Sequence, residues 1–202
     1  MRKINTKPGR ETAGLSGKTE KKQKRYERKK SMEFIELAKK RFSVRKFAAA
    51  PIEKEKLDLI IEAGRVAPTA KNLQPQRIYV VQSPEGLAKI DALTPCRFGA
   101  GTVLIFTYNT EEEWQNPLEA GVRAGVEDVS IVATHMMLEA EDLGLGSCWV
   151  NYVPNSQLEK AFGLPKNEKT VLLLPIGYPA PDAAPSANHA ASKSAEEFVK
   201  FI

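Results

Sequence analysis

Apolar residues in this chain alternate between helical spacing and short continuous runs, and the alternation begins only after residue 31. Apolar positions that recur every three and four residues predict α-helices over residues 32–40, 53–65, 84–91, 118–143, 155–162 and 194–201. Short apolar runs bounded by Gly, Pro and polar residues predict buried strands over residues 77–82, 102–108, 145–152 and 170–176. Strands separated by helices indicate an α+β or α/β sandwich.

The longest predicted helix, residues 118–143, is apolar on several sides. Its main stripe runs from Val129 to Leu143 at intervals of three and four, and Ile131 and Leu138 add apolar groups on other faces. Such a helix is typical of a domain centre or a dimer interface. The sequence favours a packed or interfacial role for His135 in this helix over a ligand role.

Composition narrows the class of protein. A chain of 202 residues with 42% hydrophobic and 27% charged residues is sufficient for one globular domain. No apolar run reaches the roughly 20 residues of a membrane helix. Two cysteines do not make a disulfide framework, so we expect a reducing cytoplasm. Two histidines without a Cys-x-x-Cys motif argue against structural zinc, and no metal site is predicted.

The positive charge is concentrated at the N-terminus. Residues 1–31 hold 12 Lys and Arg against 3 Glu, a net charge of +9, whereas residues 32–202 carry a net charge of −4. Residues 1–31 contain few large apolar side chains, which predicts a mostly disordered, solvated arm. The alternative for this arm is contact with RNA, DNA or another anionic surface. The acidic remainder does not favour nucleic-acid binding by the folded part.

Candidate chemistry begins where the first predicted helix ends. Arg41 and Arg45, with Ser43 between them, place two guanidinium groups and a hydroxyl within five residues. Guanidinium groups bind phosphate in a planar, charge-assisted geometry, so these residues are a candidate anion site. The alternative is a solvated helix end whose arginines pair with nearby glutamates. The sequence lacks the Gly-x-Ser-x-Gly, His-Glu-x-x-His and Gly-x-Gly-x-x-Gly motifs, so no catalytic side chain or Rossmann site is predicted.

Four stretches in order resemble the nitroreductase family of FMN-dependent oxidoreductases. They are Arg-x-Ser-x-Arg-x-Phe at 41–47, Ala-Pro-Thr-Ala-Lys-Asn-x-Gln-Pro at 67–75, Gly-Leu-Gly-Ser-Cys-Trp-Val at 144–150 and Ile-Gly-Tyr-Pro at 176–179. The resemblance covers residues 32–202 and leaves residues 1–31 outside the domain.

The resemblance implies an α+β three-layer sandwich with a mixed central sheet flanked by helices. It implies a homodimer with two FMN molecules at the subunit interface and an extended C-terminal arm, residues 179–202, on the partner subunit. NADH or NADPH would reduce the flavin and leave, and a small acceptor such as a nitroaromatic or a quinone would then take the electrons. The flavin N5 atom, and no side chain, would be the redox centre.

The resemblance also implies a role for each matching position. Arg41, Phe42 and Ser43 would meet the FMN phosphate and ribityl chain, and Arg45 would lie near the N1 and C2 carbonyl edge of the ring. A backbone N–H near Asn151 would bond flavin N5. The cofactor-binding residues implied are Arg41, Phe42, Ser43, Arg45, Pro68, Thr69, Ala70 and Asn72 (the last four from the other subunit), Trp149, Val150, Asn151, Tyr152 and Lys193.

The chain departs from the family pattern near its C-terminus. The basic residues that usually complete the phosphate site are reduced to Lys193, with His189 as a candidate to share the role. Arg97 is a candidate second cation at the pyrimidine edge of the flavin. Cys148 lies beside the proposed flavin-facing strand and is interpreted as a small buried hydrophobe.

Two other functions stay open at the level of sequence. One is a flavin-binding sensor or carrier with little reductase activity. The other is an anionic-polymer binder that works through residues 1–31, for which steep salt dependence would be diagnostic.

Overall fold

The structure is a computed structural model that describes residues 33–202. The predictions for residues 1–31 lie outside the described residues. The helices are α1 (Phe34–Lys40), α2 (Lys54–Arg65), α3 (Pro84–Leu93), α4 (Gly125–Asp142), α5 (Asn155–Phe162) and α6 (Ala195–Phe198). The strands are β1 (Gln76–Val81), β2 (Thr102–Asn109), β3 (Gly146–Ser147) and β4 (Glu168–Gly177).

The strands form one sheet in the order β1-β2-β4-β3, and every pairing between these strands is antiparallel. Leu104 of the central strand β2 lies opposite Leu174 of β4. The parallel component of the sheet is an isolated bridge between Ser43 and Ser147, which adds the segment after α1 to the β3 edge. The predicted mixed sheet is therefore antiparallel in its named strands and mixed only through this bridge.

Alternate side chains of the central strands enter two separate cores, because successive residues of a strand point to opposite faces. Leu104, Phe106 and Leu174 pack on one face with α2 and α4. Val103, Ile105 and Leu173 pack on the other face with α3 and α5. The result is the expected three-layer α+β sandwich. Each large apolar side chain buried in this way stabilises the fold by about 1.5–3 kcal/mol.

The longest helix begins seven residues later than predicted. The sequence predicted a helix over 118–143, whereas α4 is Gly125–Asp142. Gly121 has a φ of 88°, a left-handed conformation that a helix does not admit. The Glu113 carboxylate then accepts the Gly125 N–H at 3.1 Å, which fixes the start of the helix. Gly125 is required there, because a Cβ would lie 2.3 Å from Tyr108 Cδ2.

The predicted strand over 145–152 was too long, because only Gly146–Ser147 forms a strand. The Cys148 N–H donates to the Pro175 carbonyl at 3.1 Å, but proline has no N–H to return. The ladder is interrupted there and resumes as a single bridge between Val150 and Leu173. Because of Pro175, residues 148–152 do not form a continuous ladder of backbone hydrogen bonds with β4.

The remaining helices follow their sequence signals closely. The Ser83 hydroxyl accepts the Gly86 N–H at 3.1 Å and begins α3. Gly163, with a φ of 64°, ends α5 as a left-handed cap. The final helix is Ala195–Phe198, shorter than the predicted 194–201, and a Ser194/Glu197 capping box begins it. Across residues 33–202, no helix is both long enough and apolar enough to cross a membrane.

Candidate functional site

The segment 41–47 is held by backbone pairing on both of its sides. The Val44 N–H donates to the Ser147 carbonyl of β3 at 2.9 Å. On the other side, the Ala180 N–H donates to the Lys46 carbonyl at 3.0 Å. Val44 is fully buried and Phe47 is 8% exposed, so two apolar anchors fix the segment while Arg45 between them is exposed.

Gly146 allows this segment to approach β3 closely. A Cβ on Gly146 would lie 2.4 Å from Val44 Cγ2 and 3.1 Å from Pro179 Cγ. Real Cβ atoms do not tolerate a contact of 2.4 Å, so glycine is required here by the space available. Gly146 in the Gly-x-Gly-Ser stretch at 144–147 therefore sets the distance between the segment 41–47, called the arginine segment below, and the sheet.

The arginines of residues 33–202 fall into two groups. Four of them pair with carboxylates: Arg65 with Glu62, Arg77 with Glu112, Arg97 with Asp91 and Arg123 with Glu113. Arg41 and Arg45 pair with no carboxylate of the described residues, and Arg45 Nη1 only donates to the Ser43 carbonyl at 3.3 Å. The alternative in which these two arginines pair with nearby glutamates is therefore not seen in this part of the chain. Two unpaired guanidinium groups beside a hydroxyl are suited to an anion.

The Cys148 thiol interacts with side chains of the arginine segment, so this segment lies close to residues 149–152. Burial raises the pKa of the Cys148 thiol, and the positive charge of Arg45 and, more weakly, a hydrogen bond with Ser43 and the charge of Arg41 oppose this rise. Burial dominates, so the thiol stays protonated at neutral pH. Cys148 is 4% exposed and packs in the α3/α5 core, in agreement with its interpretation as a buried hydrophobe.

Residues 149–152 leave the sheet with backbone donors that have no partner among residues 33–202. Val150 exchanges both backbone hydrogen bonds with Leu173 at 2.9 Å. The Asn151 side chain donates to the Val171 carbonyl at 2.8 Å and accepts from the Trp149 indole N–H. The Asn151 backbone N–H makes no hydrogen bond with the residues that the structure describes. This N–H is therefore free to bind a ligand.

A pocket of about 310 Å³ adjoins this segment. It is lined by Leu93, Asn151, Tyr152, Val153 and Pro154. The Thr94 hydroxyl donates to the Tyr152 carbonyl at 2.6 Å, which fixes the backbone at the pocket wall. The Tyr152 side chain is 76% exposed and is available to contact a small molecule.

The loop 67–75, which contains Pro68, Thr69, Ala70 and Asn72, is strained. Lys71, Asn72 and Gln74 have φ values of 50°, 55° and 54°, in the left-handed region. This region costs roughly 1–2 kcal/mol for residues such as Lys71 and Gln74, and less for Asn72, because asparagine adopts it more readily. Strained backbone of this kind is concentrated at binding sites, so the loop is a second candidate region.

Asp128 of α4 holds this loop, and sequence reasoning missed it. Its Oδ1 accepts the Ala70 N–H at 2.7 Å, while its Oδ2 is buried without a partner. Burial raises the pKa of the Asp128 carboxyl, the Ala70 hydrogen bond lowers it, and the nearby Glu127 and Glu113 raise it further. A signal was present in the sequence, because Asp128 lies four residues before Val132, in the apolar stripe of the helix.

The predicted site residues form three groups, at 41–45, 68–72 and 149–152. The first and the third lie close together within one chain. Arg41, Ser43 and Arg45 lie against the Ser147–Cys148 region, next to residues 149–152. The loop 68–72 is joined to neither group by a hydrogen bond, ion pair or ring contact among residues 33–202.

The residues predicted near the C-terminus are divided. Lys193 is exposed and makes no hydrogen bond or ion pair with the described residues. The His189 ring lies edge-on to Phe42, with 6.2 Å between ring centroids, so it is close to the arginine segment. Arg97 is occupied, because both ends of its guanidinium fork bind Asp91 and Nη1 donates to the Ala100 carbonyl. Arg97 is thus a structural ion pair and not an available second cation.

The chain is similar to proteins of one family. The model described as the nitroreductase family matches residues 38–98 and 96–178. A crystal structure of a nitroreductase family protein from Clostridium difficile 630 is 34% identical, with a TM-score of 0.79 over 84% of this chain and 98% of that one.

Two further relatives carry more specific names. A structure of an FMN-dependent nitroreductase from Clostridium difficile R20291 is 27% identical, with a TM-score of 0.66 over 83% of this chain and 98% of that one. An NADPH-flavin oxidoreductase from Vibrio harveyi is 29% identical over 68% of this chain, and the match spans 62% of the relative's length.

Proposed function

Because the chain belongs to the nitroreductase family, we propose that it is an FMN-dependent oxidoreductase that carries hydride from NADH or NADPH to a small acceptor such as a nitroaromatic or a quinone. One observation carries this proposal. Arg41 and Arg45 lack carboxylate partners among residues 33–202, although the other four arginines there each have one. Cations without partners in a protein with many acidic groups indicate a ligand that supplies the negative charge.

The arrangement of donors fits FMN. Arg41 and Ser43 supply a cation and a hydroxyl for one phosphate, and Arg45 lies two residues further along the same extended segment. The free Asn151 N–H lies beyond Cys148 on the segment that β3 begins. A phosphate contact at one end and free backbone donors at the other suit a flavin mononucleotide.

Each residue has a distinct role in this proposal. When bound, FMN supplies the hydride chemistry, and the protein supplies position, charge and shielding from water. Arg41 holds the phosphate in every state of the enzyme. Arg45 places a fixed positive charge where reduction of the ring adds negative charge, which favours reduction. The Asn151 N–H orients the ring edge that exchanges hydride, and the pocket beside Tyr152 admits the acceptor.

We also propose that the enzyme is a homodimer built from residues 32–202, with residues 179–202 extending as an arm onto the partner subunit. Among residues 33–202, no hydrogen bond, ion pair or ring contact joins the loop 68–72 to the arginine segment, which supports a second subunit that brings the two together. Large apolar side chains remain exposed on α1, on α4 and along the arm, as at Phe34, Ile131 and Phe201. An apolar surface of this kind is suited to contact with another chain. The two free cysteines suit a reducing compartment such as the cytoplasm.

The visible spectrum of the purified protein tests the function. We expect a yellow protein that releases FMN, and not FAD, on denaturation. Anaerobic NADH or NADPH should bleach the bound flavin rapidly, and a quinone should restore the colour. Bound flavin that neither nicotinamide reduces would support a sensor or carrier instead. A colourless protein that cannot be reconstituted with FMN would contradict the proposal.

Light scattering tests the assembly. The flavin-loaded protein should have twice the mass of one chain, and dilution to monomer should release the flavin. A monomer that retains FMN would contradict the shared site.

A further inference from the structure

Asp128 is the link between the tip of the strained loop and another element of the fold. The Ala70 N–H donates to Asp128 Oδ1 at 2.7 Å, across 58 residues of sequence. The other hydrogen bonds of residues 69–74 in the described part of the chain are local. They join Asn72 N–H to the Thr69 carbonyl, Leu73 N–H to the Ala70 carbonyl, Gln74 N–H to Thr69 Oγ1, Gln74 Nε2 to the Asn72 carbonyl and Arg77 Nη1 to the Gln74 carbonyl.

The surroundings of Asp128 do not favour a buried carboxylate. Asp128 is 2% exposed in an apolar helix face, and its Oδ2 has no hydrogen-bond partner among residues 33–202. The charged groups that face it are acidic: Glu127 on its own helix and Glu113 from the loop before α4. A buried acid beside other acids opposes folding unless its hydrogen bonds offset the burial. One hydrogen bond to Ala70 offsets only a small part of the cost of burying Asp128. The role of Asp128 is therefore to position the loop and not to stabilise the fold.

Helix α4 is a firm base for such a bond. Asp128 lies in its first turn, and its own N–H donates to the Ala124 carbonyl at 2.8 Å. The next turns pack Val129, Val132 and Met136 into the core against α2 and the sheet. A side chain on a buried helix holds a loop more precisely than a contact from another loop does.

We propose that Asp128 is a positioning residue of the flavin site. Its Oδ1 fixes Ala70, and through Ala70 it maintains the left-handed backbone at Lys71, Asn72 and Gln74. In that conformation the loop presents Pro68, Thr69, Ala70 and Asn72 to the flavin held at the subunit interface. The identity of the ligand rests on the proposed function, whereas the hold of Asp128 on the loop does not.

The first experiment measures the loop without added flavin. Hydrogen exchange of the Ala70 amide should be slow in the wild-type protein, because a buried acceptor protects it. Asp128→Ala removes the acceptor without adding bulk and should accelerate this exchange at least about tenfold. Asp128→Asn keeps an oxygen acceptor and should retain the protection. Glu127→Gln removes the same charge from the adjacent exposed position and is the matched control.

The second experiment measures FMN binding by quenching of flavin fluorescence. Asp128→Ala should raise the Kd of FMN at least about tenfold, which corresponds to about 1.4 kcal/mol. Asp128→Asn and Glu127→Gln should stay within about threefold of the wild type. The Asn variant separates the role of the hydrogen bond from the role of the charge.

If Asp128→Ala fails to fold, a variant of the hydrogen-bond donor, Ala70, provides a second test. Ala70→Pro removes the N–H, and proline is suited to this position because Ala70 begins a short 3₁₀ turn after an extended Thr69. It should weaken FMN binding to a similar extent as Asp128→Ala. In the double variant the two effects should not add, because both remove the same bond.

The outcomes are distinct. Unchanged Ala70 exchange in folded Asp128→Ala, or an FMN Kd within about threefold of wild type in both Asp128→Ala and Ala70→Pro, would overturn the positioning role. Additive effects in the double variant would also overturn it. Wild-type protein that binds no FMN would instead refute the proposed function and with it the flavin part of the inference. The exchange data would then still decide whether Asp128 holds the loop.

Discussion

The segment 41–47 and the loop 67–75 are held in opposite ways. The segment has backbone bonds to β3 on one side and to residues 178–180 on the other, and its two arginines are left without carboxylate partners among the described residues. The loop is strained at three non-glycine residues. Its tip is tied to α4 through one side chain, and its end is joined to β2 because the Pro75 carbonyl accepts the Asn109 N–H at 2.9 Å. The segment is thus held through its backbone, with arginines unpaired among residues 33–202, whereas the tip of the loop is held through a side chain.

This difference determines what damage to each region should do. Because backbone bonds hold the segment, removal of one of its side chains removes a ligand contact and leaves the geometry intact. In the loop a single side-chain bond controls several residues, so removal of Asp128 changes the geometry of residues that it does not touch. Side-chain variants in the segment should therefore report individual roles, and variants at Asp128 should report a collective one.

The largest expected effect is on the phosphate contact in the segment. Arg41→Ala should weaken FMN binding about tenfold to about a hundredfold, because a charge-assisted hydrogen bond contributes about 1.5–3 kcal/mol. Titration of the apoprotein with FMN measures this. Arg65→Ala is the matched control, since Arg65 pairs with exposed Glu62 at the end of α2 and should leave the Kd unchanged. Equal losses in both variants would show that general charge, and not the segment, binds FMN.

The second effect separates the two arginines of the segment. Arg45→Ala should lower the midpoint potential of bound FMN by about 30–60 mV, because the reduced ring loses a cation that the oxidised ring needs less. Arg41→Ala at saturating FMN should leave the potential unchanged, because phosphate charge does not change on reduction. A spectroelectrochemical titration of both variants makes the comparison. A shift in Arg41→Ala alone would reverse the assignment.

The third effect is a pH dependence of the melting temperature that arises from Asp128. The pKa of Asp128 is raised in the folded state, with Glu113 and Glu127 as its acidic neighbours, so its ionised form destabilises the fold. This cost is absent below the unfolded aspartate pKa of about 3.9, develops as pH rises through the raised folded pKa, and is constant above it. Asp128→Asn lacks the ionisable group. The melting temperature of Asp128→Asn should therefore rise relative to that of the wild type as pH increases.

Thermal melts of both proteins from about pH 4 to about pH 8 measure the gap. Arg41→Ala should show the wild-type pH dependence, since Arg41 is not among the groups that shift the pKa of Asp128. A gap that narrows with rising pH would mean that Asp128 is stabilised as an anion.

The smallest expected effect concerns the basic arm. Deletion of residues 1–31 removes a net charge of +9 but leaves both regions complete. The FMN Kd and the rate of flavin reduction should stay within about twofold of the full chain. Equilibrium titration and stopped-flow reduction of the truncated protein measure them. A folded truncated protein that loses FMN would show that the arm supplies cations to the site.

The same two regions show what sequence can predict. The segment could be predicted because its chemistry depends on residue types at a fixed spacing, Arg-x-Ser-x-Arg after a helix. The loop was visible as the Ala-Pro-Thr-Ala-Lys-Asn-x-Gln-Pro stretch at 67–75. Its restraint was not visible, because Asp128 lies 58 residues away and only the fold brings it to Ala70. The late start of α4 and the break at Pro175 were missed for the same reason. Both depend on a partner from elsewhere in the chain, Glu113 for the helix and Pro175 for the strand.

The close approach at Gly146 limits how far sequences that carry this site can diverge. Even alanine at position 146 would push against Val44 and move the arginine segment away from the sheet. A library with every amino acid at this position should therefore yield functional clones with glycine alone, although Gly146 has no side chain to offer a ligand. In the proposed enzyme, engineering of new specificity would therefore begin at the pocket beside Tyr152, whose side chain is 76% exposed and does not pack under the arginine segment.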